Sequence, residues 1–304
     1  MPKEDLEKNG VAVVEGVISE EQCISLRNNI WQEFSHITKG RFKIEDKTTW
    51  HNFYDMFPLH SMLLQHWGVG HMQPVWDIRQ MDSVKNIFKE IWNTDDLLVS
   101  FDGISIHLPP EVTGRGWFRN NIWMHTDQSS TKKGFECVQG LINLYPVNEG
   151  DATLCVLEGS NKYHEDFFKE NKITEKKDWY KLKENELSFF TDKGCVQKCV
   201  TGGIGSMMLW DSRTFHQGIE AQKNREKENF RMVVYVCMTP KKKCTKAGIK
   251  KRIKAFEELR MTTHWASDPR LFPVIPRTYG KALPDCNMVN PPVLSEVGKK
   301  LVGY

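Results

Sequence analysis

The sequence predicts an α+β chain, mainly β with flanking helices, from three observations. Short apolar, β-branched runs recur from residue 97 onward at strand length. Turn residues divide them: Pro109-Pro110, Asn148-Glu149-Gly150-Asp151, and Gly202-Gly203 with Gly205. Helical periodicity is strongest before and after that series. Many short strands with glycine-rich turns imply a sandwich or barrel, and a jelly roll is one such solution.

In chain order, Val11–Val17 reads as a strand. Ser19-Glu20-Glu21-Gln22 is a capping-box pattern, and Cys23, Leu26, Ile30 and Phe34 then recur on one helical face. Residues 41–70 hold His, Phe and Trp without a period and read as irregular. Asp82 or Ser83 can cap a second helix with the stripe Val84, Ile87, Phe88, Ile91 and Trp92. Strands follow at Leu97–Ile106, Asn121–His125, Val138–Tyr145, Thr153–Leu157, Met207–Trp210, Thr214–Ile219 and Arg231–Met238. Residues 161–195 interrupt them with a polar, aromatic, helical insertion. A last helix is expected over Lys246–Arg260, before a proline-rich, coil-like tail.

Residues 1–304 read as one domain: an N-terminal strand and helices (1–95), a core (96–240) holding the insertion, and a C-terminal helix and tail (241–304). The net charge of +3 is weak support for a nucleic-acid partner, and Lys241–Lys243 reads as a solvated turn. No apolar run reaches membrane-spanning length, and the polar start MPKEDLEKNG does not resemble a secretory signal. The eight cysteines contain no C-x-x-C pair. An intracellular, cytoplasmic chain with reduced thiols is therefore expected, acting on a small-molecule substrate and not on a membrane or nucleic acid.

His125-Thr126-Asp127 places an imidazole and a carboxylate two residues apart, at a strand end and in its following turn. A distant histidine, His216, would complete a set of two His and one carboxylate. That set leaves three positions open, which suits a non-haem iron binding a bidentate co-substrate and oxygen. His164-Glu165-Asp166 has the same spacing in a helical context. Residues two apart on a helix diverge, so these are expected at the surface. His216 shares parity with Trp210, Ser212 and Thr214, which should face one side; a core histidine bonded to a carbonyl is the alternative.

Arg231 alternates with Val233 and Tyr235 in an apolar strand. A buried guanidinium needs an anion, either a ligand carboxylate held by two parallel hydrogen bonds or an Asp or Glu of the chain. Gln139, Asn143 and Tyr145 share parity and are candidate polar contacts, or buried groups bonded to backbone. Trp123 shares parity with His125 as a wall of the site or a core aromatic. Asp211 and Arg213 read as an ion pair. Trp76, Arg79 and Asp102 are candidates for the substrate mouth.

In their order, His125-x-Asp127, Gly150-Asp151-Ala152-Thr153 leading to Leu157-Glu158-Gly159-Ser160-Asn161-Lys162, then His216 and Arg231, resemble the phytanoyl-CoA dioxygenase superfamily. The resemblance covers most of residues 6–240, with Asn9–Gln32 similar to the family's opening strand and helix. A subgroup of that superfamily is similar also in Val75-Trp76-Asp77-Ile78-Arg79-Gln80, Ser100-Phe101-Asp102-Gly103, Gln139-Gly140-Leu141 and Trp210-Asp211-Ser212-Arg213-Thr214. The resemblance implies a double-stranded β-helix (jelly roll, cupin-like) core and an Fe(II)- and 2-oxoglutarate-dependent dioxygenase that uses O2. It implies iron on His125, Asp127 and His216, and the far carboxylate of 2-oxoglutarate on Arg231, with Asn143 and Gln139 as further co-substrate contacts. Asn161 stands where the family usually has histidine. Asp127 fills the position a halide would need, which implies hydroxylation, with succinate and CO2 as co-products.

The alternatives are a jumonji-type protein or RNA hydroxylase, a jelly-roll binding module without catalysis, and a zinc hydrolase, which would leave Arg231 without a role. Residues 40–75 and 161–195 are too long for turns and rich in aromatics. They are expected to be ordered and to wall the open face of the metal.

Overall fold

The computed structural model describes residues 1–304. Its strands are β1 (Val11–Val14), β2 (Leu63–Leu64), β3 (Leu97–Val99), β4 (Ile104–His107), β5 (His125–Thr126), β6 (Val138–Asn143), β7 (Thr153–Glu158), β8 (Tyr180–Lys181), β9 (Val196–Cys199), β10 (Met207–Asp211), β11 (His216–Ile219), β12 (Arg231–Tyr235) and β13 (Met238–Pro240). They form a six-stranded sheet in the order β1-β10-β6-β12-β4-β2, a five-stranded sheet β8-β5-β11-β7-β9, and the pair β13-β3. All these strand pairings are antiparallel, and the chain is α+β.

Period-two alternation sorts side chains into three layers. Leu141, Met208, Trp210 and Val233 of the six-stranded sheet meet Leu154 and Val156 of the five-stranded sheet, so the two sheets face each other. Their neighbours Ile142, Met207, Leu209, Met232 and Val234 point the other way, into the largest core, against the N-terminal helices. Met124, Cys155, Leu157 and Phe215 cover the far face of the five-stranded sheet. There they pack on Phe167, Phe168, Leu182 and Phe190 of the insertion.

The helix Glu20–Ile37 begins at the expected box: Gln22 N donates to Ser19 Oγ and Ser19 N to Gln22 Oε1. Cys23, Leu26, Ile30 and Phe34 are its buried face. Helices Asp82–Trp92 and Lys246–Glu257 form where periodicity predicts them. Two helices were not legible as such, Pro2–Asn9 and, within the supposed coil tail, Glu296–Val302. Asn161 donates to Leu6 O and Glu7 O, tying the first of these to the core. The expected strand Leu97–Ile106 is broken at Ser100–Gly103 into β3 and β4, which lie in different sheets. Gly103 allows that break, since a Cβ there would overlap the Leu64 carbonyl oxygen. Residues 121–124 are not a strand; only His125–Thr126 pair. No helix is long and apolar enough to cross a membrane.

Candidate metal centre and its cavity

A cavity of about 640 Å³ opens between the two facing sheets. His125, Asp127 and His216 line it, and one ligand atom from each lies within 4.8 Å of the others. Strand register brings the histidines together. His125 on β5 stands directly opposite His216 on β11, so both imidazoles leave the same face. Asp127 sits in the turn just past β5, where its N donates to Ser212 O. Its Oδ2 is 3.7 Å from His125 Nε2 and 3.3 Å from His216 Nε2.

The surroundings fix these groups. Gln139 Nε2 donates to Asp127 Oδ2 at 2.9 Å, Trp265 Nε1 donates to Asp127 O at 3.1 Å, and Trp123 stacks on His125 at 4.9 Å. Burial pushes the His125 imidazole down to about 3, helped by the neighbouring His216. Burial alone would raise the Asp127 carboxyl, but the imidazoles of His264, His125 and His216 around it hold it well below the ordinary carboxylate range.

Arg231 is buried on the inner face of β12 and lines the same cavity with Tyr235. Its one polar-type contact is Nη1 to Met62 Sδ at 3.5 Å, and no carboxylate of the chain pairs with it. Asn143 shares that face direction on β6 but lies beyond the cavity. Its amide donates to Ser206 Oγ, and opposite it Val233 fills the space between the sheets. Gln139, expected at the co-substrate, is committed to Asp127 by its hydrogen bond.

Trp76 and Arg79 are displaced from the expected substrate mouth. Both are fully buried away from the cavity: Trp76 packs against His71, Phe101 and Phe256, and Arg79 donates to Gly70 O and Asp102 O. Trp123 and Asp102 do line the cavity. His164 is buried, not superficial, with Nε2 donating to Gln128 O; it stands outside the metal cluster. Asp211 and Arg213 form the expected ion pair. Continuous alternation from Trp210 to His216 does not exist, because β10 and β11 belong to different sheets. Ser212 and Thr214 turn instead to Gln128 and Gly10.

The loop expectations divide. Leu59, His60, Leu63 and Gln65 from one segment, and Lys177, Trp179 and Lys181 from the other, line the cavity. Most of the loop aromatics do not: Trp50 and Phe53 fill the main core, and Phe167 and Phe168 the insertion's own. A residue that pattern reading missed is His264, whose Nδ1 is 4.0 Å from Asp127 Oδ2. It comes from the tail, where the sole signal is a His-Trp pair, His264-Trp265, in an otherwise polar stretch.

No family model matches the chain. Over 207 residues it is 33% identical to "Ava biosynthesis cluster protein O" of Aspergillus versicolor, which covers 66% of this chain. The match spans 65% of that relative's length, so just under two thirds of it. A hypothetical protein JW0805 from Escherichia coli superposes with a TM-score of 0.63, at 13% identity, over 99% of this chain and 81% of that one. A nickel complex of ThoJ, described as a non-heme monooxygenase, superposes with a TM-score of 0.50 at 9% identity, over 79% of this chain and 78% of that one. The fold is shared with both. Neither these two structures nor the fungal relative is this chain, and the identities to the structures carry architecture alone.

Proposed function

We propose that the chain is an Fe(II)- and 2-oxoglutarate-dependent oxygenase of the phytanoyl-CoA dioxygenase-like superfamily, hydroxylating a small or mid-sized organic substrate. Its two facing antiparallel sheets would then be the double-stranded β-helix, or jelly roll, of that group, with residues 96–240 as its core inside a single domain. The observation that carries the proposal is one cavity holding two imidazoles, a carboxylate and a buried guanidinium with no anion of its own. The naming of ThoJ as a non-heme monooxygenase and of the fungal relative as a biosynthesis-cluster protein supports it.

The donor set fits a metal ion on its own chemistry. His216 Nδ1 donates to Thr214 O at 2.9 Å, which aims Nε2 at Asp127 Oδ2, 3.3 Å away. A metal ion bound between these atoms would take the Nε2 lone pair and balance the carboxylate charge. His125, Asp127 and His216 would hold the iron, two nitrogens and one carboxylate leaving open positions. Iron bound there with 2-oxoglutarate and O2 supplies an oxidant that removes hydrogen from a substrate carbon, with succinate and CO2 as co-products.

The chain's own residues do the remainder. Arg231 offers a planar, two-pronged site for the distal carboxylate of 2-oxoglutarate. Gln139 holds the Asp127 carboxylate in place, and Trp123 and Trp265 fix the first two ligands against their neighbours. The inner faces of the sheets exclude bulk water from the ligands, which are all buried. A cavity of this size suits a small molecule and disfavours the broad groove of a protein or RNA hydroxylase. The eight free thiols suit a reducing, intracellular setting.

Anaerobic titration with Fe(II) and 2-oxoglutarate, followed by a metabolite screen for succinate release, tests the proposal. Binding of both with metabolite-stimulated succinate release is expected. A chain that takes up neither Fe(II) nor 2-oxoglutarate is not this enzyme.

A further inference from the structure

The row of paired residues that joins the two histidines continues outward. His216 stands opposite His125, and His125 stands opposite Lys181 of β8. Residues directly opposite in an antiparallel pair leave the same face of the sheet, so the Lys181 ammonium is the next group in line after the two imidazoles. Trp179, two residues earlier, shares that face, whereas Tyr180 packs on the other side among the insertion aromatics. Both Lys181 and Trp179 line the cavity.

Neither is accounted for by the fold. Lys181 forms no ion pair, and Lys177 beside it forms none either. The other cation at this rim, Arg270, is bound to Asp178, and Asp178 is further occupied by Lys132 and Ser129 N. Trp179 is 49% exposed with its ring 5.9 Å from that of His125, so a large indole stands open at the mouth. His60 stacks on Trp123 at 4.0 Å with the planes 7° apart, and Trp123 stacks in turn on His125 at 4.9 Å, so the Trp123 indole is already covered by imidazoles and Trp179 is the open ring. Burial lowers the His60 imidazole and the Lys181 charge lowers it further, so His60 is neutral at physiological pH and offers no competing cation.

We infer that the substrate carries an anionic group, held by the Lys181 ammonium with Lys177 adding to the field, and a planar apolar body that lies on the open indole of Trp179. An anion placed there lies at the rim, whereas Arg231 stands on the opposite sheet, so the co-substrate and the substrate have separate cationic anchors. The Trp179 ring selects the body by stacking and the ammonium selects the charge. This assignment rests on taking the cavity as the active site of the proposed oxygenase.

Calorimetric titration of the full chain, saturated with Ni(II) and 2-oxoglutarate, with phenylacetate, phenyl phosphate and phenylacetamide tests it. At least one of the two anions is expected to bind about three- to fivefold more tightly than the neutral amide, a factor of the size one exposed ion pair supplies, since the phenyl ring is common to all three. The tighter of the two anions tells a carboxylate substrate from a phosphate ester. Lys181→Gln should remove that preference while amide binding stays the same, Lys181→Arg should restore most of it, and Trp179→Ala should weaken all three probes. Equal binding of amide and anions, anion binding that survives Lys181→Gln, or anion binding lost in Arg231→Ala alone would overturn the assignment. Lys181 is exposed, so its replacement does not threaten folding, and an unchanged melting temperature checks that. Should the wild-type chain take up neither Ni(II) nor 2-oxoglutarate, the oxygenase proposal fails by itself. The same three probes titrated into the unloaded chain still report on Lys181.

Discussion

Gln139 donates from Nε2 to Oδ2 of Asp127 at 2.9 Å, the same oxygen that faces His216 at 3.3 Å. A carboxylate held in this way presents a fixed oxygen to a metal. Gln139→Leu is therefore expected to weaken Fe(II) or Ni(II) binding by about 10–100-fold, the range for loss of a ligand's supporting hydrogen bond. Asp127→Ala should cost more than that. Anaerobic calorimetry compares the two, and unchanged affinity in Gln139→Leu would remove Gln139 from the metal site.

Arg231 has no carboxylate of the chain beside it and is buried. Arg231→Ala should weaken 2-oxoglutarate binding by about 100-fold or more, because two charge-assisted hydrogen bonds are lost together. Metal affinity should change little. Arg231→Lys should also be impaired, since one ammonium cannot reproduce the fork. Equilibrium binding of 2-oxoglutarate to the Ni(II)-loaded variants is the measurement, and an undiminished affinity in Arg231→Ala refutes the assignment.

Three histidines away from the metal cluster are held neutral by burial: His71 is pushed down to about 3, and His107 and His164 to about 4. Each is lowered from an ordinary value of 6.5, so the unfolded chain takes up protons first as pH falls. Stability is whole above pH 6.5 and declines below it, until the folded-state histidines protonate near pH 4 and 3. Each contributes a slope of about 1.4 kcal/mol per pH unit inside that window. Urea unfolding at pH 7, 6 and 5 should show the decline, and His164→Gln should make it shallower. A flat profile from pH 7 to 5 contradicts it.

Arg252 is fully buried and donates to the carbonyl oxygens of Val99, Ala266, Leu301 and Val302. Burial lowers it to about 9, so it stays cationic at neutral pH. It fastens the segment carrying His264 and Trp265 to β3 and to the C-terminal helix. Arg252→Met leaves those carbonyls without a donor and should cost roughly 3 kcal/mol or more, at about 1–3 kcal/mol for each orphaned group. Metal affinity should fall with it, because Trp265 no longer steadies the Asp127 backbone. Chemical denaturation and metal titration on the same variant test the two parts separately.

Much of the site lay in short stretches of sequence. His125 and Asp127 are two residues apart, so a strand end and a turn suffice to aim both, and β6 and β10 are apolar enough to fix their alternation. The pairing of His125 with His216, by contrast, depends on register between strands that lie 91 positions apart, 216 − 125, and parity alone did not supply it. The assumed run of alternation into His216 was interrupted by a crossing between sheets. His264 and Trp265 had no periodic signal, since the tail segment that bears them is positioned by contacts such as Trp265 to Asp127, across 138 residues.

Arg79 and Arg231 separate what sequence determines from what tertiary structure decides. Sequence alone determined that Arg231 is a guanidinium in an apolar strand whose burial demands partners, because an unpaired charge in a low-dielectric interior is costly, whereas it read Arg79 as a candidate for the substrate mouth. It could not determine which partners. Folding brought the carbonyls of Gly70 and Asp102 onto Arg79, and left Arg231 facing a cavity with no anion of the chain in reach. The distinction lies in long-range packing, since a carbonyl or a cavity reaches a side chain through the fold and not through neighbouring residues in the chain.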